Sequence, residues 1–63
     1  MFEKGGLVRY LNRNPTIYPY YLGIVLRMFK DNFTDVFFAE VLWHTGCVSE
    51  EKLRDLEVIS EHR

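Results

Sequence analysis

The stretch Phe33–Ser49, FTDVFFAEVLWHTGCVS, limits what this chain can fold into more than any other. Thr34 is placed to cap the start of a helix. Phe33 before it and Phe38 four residues after it have the spacing of a hydrophobic staple. Gly46 offers a left-handed stop. Between these signals lie Val36, Phe37, Phe38, Ala39, Val41, Leu42 and Trp43, with Glu40 the one charge among them. On a helical wheel the apolar residues go nearly all the way round. A helix apolar on every side is buried on every side, so the rest of a short chain, or another chain, must cover it.

The remaining segments read as helices around that one. Leu7, Tyr10 and Leu11 share one helical face and Arg9 and Arg13 another, with the helix beginning at or after Gly6. Asn14-Pro15 is a break. Thr16 then caps a second helix with Pro19 in its first turn, and Tyr18, Tyr21, Leu22, Val25, Met28 and Phe29 form its stripe. Ser49 caps a last helix in which Leu53, Leu56 and Ile59 face inward and Glu50 and Glu51 complement the helix dipole. The expected fold is one all-α domain over residues 1–63, a bundle of three to four short helices near 6–13, 17–30, 34–45 and 50–60. A β-hairpin over residues 20–43 is the competing reading, because YLGIVLRMF and VFFAEVLW are rich in β-branched and aromatic residues and KDNFT could be their loop. The helical reading is preferred on three grounds. Neither run alternates strictly, Arg27 and Glu40 belong to no regular polar set of period two, and the cap and staple at Thr34 are helical signals.

At 63 residues the chain is near the lower limit for an independent domain. Five Phe, four Tyr and one Trp are a heavy aromatic load for that size. Large rings can compensate for a small core, or line an interface. The net charge of −1 conceals a polarity: Lys4, Arg9, Arg13, Arg27 and Lys30 face Glu3 alone in residues 1–30, whereas acids dominate residues 31–63. This asymmetry can serve attraction between the halves of one chain, between subunits, or toward an anionic partner. A single cysteine, Cys47, excludes an intrachain disulfide. MFEKGG is followed by no apolar signal-peptide core, and the longest uncharged run, Asn14–Leu26, is too short to cross a bilayer. A soluble, reducing, cytoplasmic setting is expected, with no membrane partner.

His44 and Cys47, three apart, supply two of the ligands zinc needs, and no other ligand stands at a recognised spacing. The pair also lacks an orienting acid for a thiol nucleophile. Gly5-Gly6 is an isolated pair, not a phosphate loop. The expectation is therefore no metal, no cofactor, no small-molecule substrate and no catalysis, with His44 at a helix end and Cys47 small and buried. A helix-turn-helix over Leu42–Leu53 is rejected, because SEEKLRDLE would bring acids to the major groove. The favoured function is a small helical protein-interaction or regulatory module that binds a protein partner or itself, with a homo-oligomer expected, through Phe37, Phe38, Val41, Leu42 and Trp43, with Trp43 as anchor. Its size suits an accessory protein of the kind found in phages and mobile elements. The alternative is nucleic-acid binding by Arg9, Arg13, Arg27 and Lys30 with Tyr10 and Tyr20, where rings beside cations suit base stacking and phosphate neutralisation.

Overall fold

The computed structural model describes residues 2–11 and 22–60. Its five strands are β1 (Leu7–Tyr10), β2 (Gly23–Lys30), β3 (Phe37–Trp43), β4 (Val48–Lys52) and β5 (Leu56–Ser60). All neighbouring pairs are antiparallel, in the order β4-β3-β2-β1-β5. Consecutive strands from β1 to β4 lie side by side. A single 3₁₀ turn, Leu53–Asp55, then carries the chain from β4 at one edge to β5 at the other. The all-α bundle expected from the sequence is therefore overturned. Among the described residues there is no α-helix near 6–11, 22–30, 34–45 or 50–60, and the parts of the first two expected helices that fall on residues 12–21 lie outside the described residues. The hairpin reading of residues 20–43 holds for β2 and β3.

Each helical signal has a different use here. Asp31, not Thr34, organises the β2–β3 loop. Its carboxylate accepts from the backbone N–H of Phe33 at 3.0 Å and from the Thr34 hydroxyl at 3.0 Å, and its carbonyl accepts from the N–H of Asp35 at 2.8 Å. An Asp side chain bonding the backbone two residues on is a turn-forming arrangement that competes with helix. Phe33 is fully exposed, so no staple with Phe38 exists. Gly46 does take a left-handed conformation, at φ 94°, but within a hairpin. The N–H of Gly46 bonds the carbonyl of Trp43, and the N–H of Trp43 bonds the carbonyl of Cys47, both at 2.8 Å. That is a three-residue loop with its left-handed residue last. Gly5, at φ 87°, similarly closes a turn in which the N–H of Gly6 bonds the carbonyl of Glu3. Ser49 caps nothing and lies within β4.

The chain's missing alternation has two causes. In β2 the register shifts between Val25 and Arg27, so an extra residue interrupts period two. Gly23 and Val25 point to the inner face before the shift, and Met28, opposite Ala39, does so after it. In β3 the alternation is regular in space but hidden in composition. Ala39, Val41 and Trp43 are buried, while the residues between them include the apolar Phe38 and Leu42 on the opposite face.

The core is the inner, concave face of this sheet. Val8, Val25, Ala39, Val41, Trp43 and Leu56 are buried there, with Phe2, Tyr10 and Leu53 packed against them. Trp43 lies parallel to the Tyr10 ring at a centroid distance of 4.7 Å. The indole N–H donates to Ser49 Oγ at 2.8 Å, and the Ser49 hydroxyl donates to Glu51 Oε2 at 2.7 Å. The Tyr10 hydroxyl donates to the same Glu51 oxygen at 2.7 Å. Tyr10 is on β1 and Glu51 on β4, with two strands between them, so this bond requires the sheet to curl over its inner face. The polar tips of both large rings are thereby satisfied.

Candidate interaction face on the outer side of the sheet

The register assigns the outer face residue by residue. Val48 pairs with Leu42, Leu42 with Ile24, and Ile24 with Leu7. Side chains directly opposite one another share a face. Their strand neighbours Val41, Trp43, Val25 and Val8 are the buried core, so these four point outward. They form an aliphatic row across β4, β3, β2 and β1, spanning about 14 Å at the usual strand spacing. Ile24 is 41 % exposed and Val48 52 %, while Leu7 and Leu42 are partly buried. Leu22, the residue just before β2, is also exposed. Beside the row lies an open concavity of about 360 Å³, lined by Leu7, Leu22, Ile24, Leu42, His44 and Gly46 and also by Gly23 and Trp43. His44 is positioned there by its backbone N–H, which bonds the carbonyl of Leu22 at 2.9 Å.

One level along the strands the chemistry changes. Arg27 faces Glu40 across the β2–β3 pair, with Nε 3.2 Å from Glu40 Oε1, and a second guanidinium nitrogen lies 3.7 Å from Glu50 Oε2 on β4. Beyond them Phe29 pairs with Phe38, the rings nearly parallel at 5.5 Å. The Arg27 guanidinium lies 4.5 Å from the Phe29 centroid, in cation–π range. The outer face of β2 and β3 thus reads, rung by rung, as Ile24–Leu42, Arg27–Glu40 and Phe29–Phe38.

The structure divides the residues chosen from the sequence. Of the interface set, Phe38 and Leu42 lie on this outer face. Val41 and Trp43 lie in the chain's own core, at 0 % and 2 % exposure, which removes Trp43 as an interface anchor in the folded chain. Phe37 is exposed at the β2–β3 loop end, opposite Lys30, whose ammonium is 5.9 Å from its ring centroid. Of the basic and tyrosine set, Arg9 bonds Glu57 at 3.0 Å, Arg27 bonds Glu40, and Lys30 bonds Asp35 at 2.6 Å. The hydrogen bond to Glu57, reinforced by its charge, holds the Arg9 guanidinium above its ordinary pKa. Tyr10 stacks in the core, and Arg13 and Tyr20 lie outside the described residues. Sequence reasoning missed Leu7, Ile24 and Val48. The available signal was apolar residues at positions that a one-sided antiparallel sheet ordinarily makes polar.

Cys47 is exposed, which corrects the expectation of a buried thiol. Among the described residues no three His, Cys, Asp or Glu side chains gather as a metal site, and no helix is long and apolar enough to cross a membrane. No protein-family model, no curated protein and no solved structure matches this chain.

Proposed function

We propose that this chain is a small, non-catalytic protein-interaction module that presents the outer face of its sheet to a protein partner. The observation that carries the reading is the aliphatic row Val48–Leu42–Ile24–Leu7, held outward on a sheet whose core lies on the other face. An apolar row rimmed by ion pairs has the make-up of a protein interface, with an apolar centre and a polar rim. The nucleic-acid alternative is weaker. Arg9, Arg27 and Lys30 each already touch a carboxylate, and a phosphate would approach Glu57, Glu40, Glu50 or Asp35 together with the cation.

Site-specific photo-crosslinking in the cell that makes the protein tests this. A photoreactive residue at Ile24 or at Leu42 should yield adducts with protein, and one at the exposed Arg54 of the 3₁₀ turn should not. Adducts with nucleic acid from the outer face, or no adduct from either position, would overturn the reading.

A further inference from the structure

Resting on that reading, we propose that the partner is a second copy of this chain, docked face to face about a two-fold axis that runs parallel to the strands between β2 and β3. A two-fold interface is built from one patch used twice, so the patch must complement its own rotated image. This axis exchanges the β2 and β3 columns. It sets Ile24 against the partner's Leu42, Phe29 against the partner's Phe38, and Arg27 against the partner's Glu40. Every rung then meets its complement: aliphatic on aliphatic, aromatic on aromatic, cation on anion. Packed sheets cross at about 30° because each is twisted, so rungs near the axis stay opposed while Leu7 and Val48 fall toward the corners.

Other ways of pairing two copies fare worse on the same residues. Turning the partner about an axis across the strands at the level of the ion pair sets Arg27 on Arg27 and Glu40 on Glu40. Extending the sheet through β4 brings together edges that carry Glu50, Glu51 and Lys52, and charged edge strands resist such pairing. Extension through β5 meets the register irregularity where β5 joins β1, which bends that edge. Size agrees as well. A standard interface takes about 800 Å² from each partner. The chain exposes 4552 Å² in all, several times that figure. Arg27 remains 53 % exposed despite its two carboxylate neighbours, so its guanidinium can reach a third from across the axis.

The test is a charge exchange read by sedimentation velocity, with circular dichroism as the check on folding. The wild-type chain should be a dimer. Arg27→Glu alone and Glu40→Arg alone each place like charges across the axis, and each should weaken dimerisation at least about tenfold. Mixed together, the two variants should recover the dimer, because every Glu at position 27 or 40 of one chain then faces an Arg of the other. Arg54→Glu, on the 3₁₀ turn, should leave the wild-type dimer intact. Should either variant fail to fold, the wild-type chain gives the answer by NMR. Mixed isotope labelling should show an intermolecular contact between the Ile24 methyls of one chain and the Leu42 methyls of another. A folded wild-type chain that stays monomeric at about millimolar concentration overturns the second-copy proposal, while protein adducts from Ile24 would still uphold the module reading. A dimer that the mixed variants do not restore, or that lacks the Ile24–Leu42 contact, overturns this geometry.

Discussion

Gly23→Ala isolates how tightly the inner face is packed. Gly23 opens β2 and faces the core, where it pairs with Trp43. An added Cβ would collide with Val41 Cγ1 and sit 2.8 Å from Trp43 Cε3. Both neighbours are buried, so neither can swing into solvent. Gly23 is not among the residues with positive φ, so the backbone accepts alanine and the whole penalty is steric. Overpacking of this kind costs about 1–3 kcal/mol. Restricting the unfolded chain returns about 0.4–1 kcal/mol. At the middle of both ranges the net expectation is a loss of about 1.3 kcal/mol, against a total of about 3–9 kcal/mol for a chain of this size.

The second half of the experiment is Val41→Ala, which removes the group the new methyl would strike. Alone it should cost roughly 2–3 kcal/mol, from two lost methyl groups and the cavity they leave. Combined with Gly23→Ala, the new methyl occupies part of that cavity. The double variant should therefore be more stable than the two single losses predict, by about 1 kcal/mol, well inside the range of couplings between touching residues. Urea melts followed by Trp43 fluorescence measure all four species. With a slope near 1 kcal/mol per molar, the single Gly23→Ala change should lower the midpoint by about 1.3 M. A Gly23→Ala chain as stable as wild type, or strictly additive losses, would refute the packing argument.

Two further substitutions probe the polar fastening and the loop. Ser49→Ala removes the acceptor of the Trp43 indole N–H and one donor to Glu51; it should cost about 1–2 kcal/mol in urea melts and alter the near-ultraviolet dichroism of Trp43, while the outer-face contacts stay unchanged. Asp35 sits at φ 64°, a left-handed conformation, and its ion pair with Lys30 is exposed. Asp35→Gly should be neutral or stabilising in thermal melts, and Asp35→Val should lose about 1 kcal/mol or more, so a valine variant as stable as the glycine one would sink the argument.

How much of this was legible beforehand depends on the segment. The turn at Gly46 was readable as a left-handed position, but a helix stop and a hairpin corner require the same φ, and the residue type does not choose between them. Thr34 and Phe33 matched a helical start in spacing alone. Asp31, three residues before Thr34, offered its carboxylate to the same backbone, and this local competitor prevailed. Strand β2 hid its period because the shift after Val25 is invisible without a partner strand to define register. Strand β3 hid it because both faces carry apolar groups. The same outward Phe38 and Leu42 that made the segment look like an all-round apolar helix form part of the candidate interaction face. The misreading and the site thus have one cause, an apolar surplus beyond what the core takes up.

The charge polarity along the chain acquires a meaning only through topology. The antiparallel order sets β2, from the basic half, beside β3, from the acidic half, and likewise β1 beside β5. Arg27 then stands directly opposite Glu40, and Arg9 directly opposite Glu57. Both are exposed pairs, so solvent screening leaves them little weight in stability. Their effect on register is larger. Sliding either strand by one residue would turn its arginine toward the apolar inner face, where an unpaired charge is costly. Arg27 and Glu40 therefore fix β2 against β3, which is what brings Ile24 level with Leu42 and Phe29 level with Phe38. A face able to match its own rotated image depends on those rungs being level, so the pair that sets the register within one chain is also the pair whose exchange tests association between two.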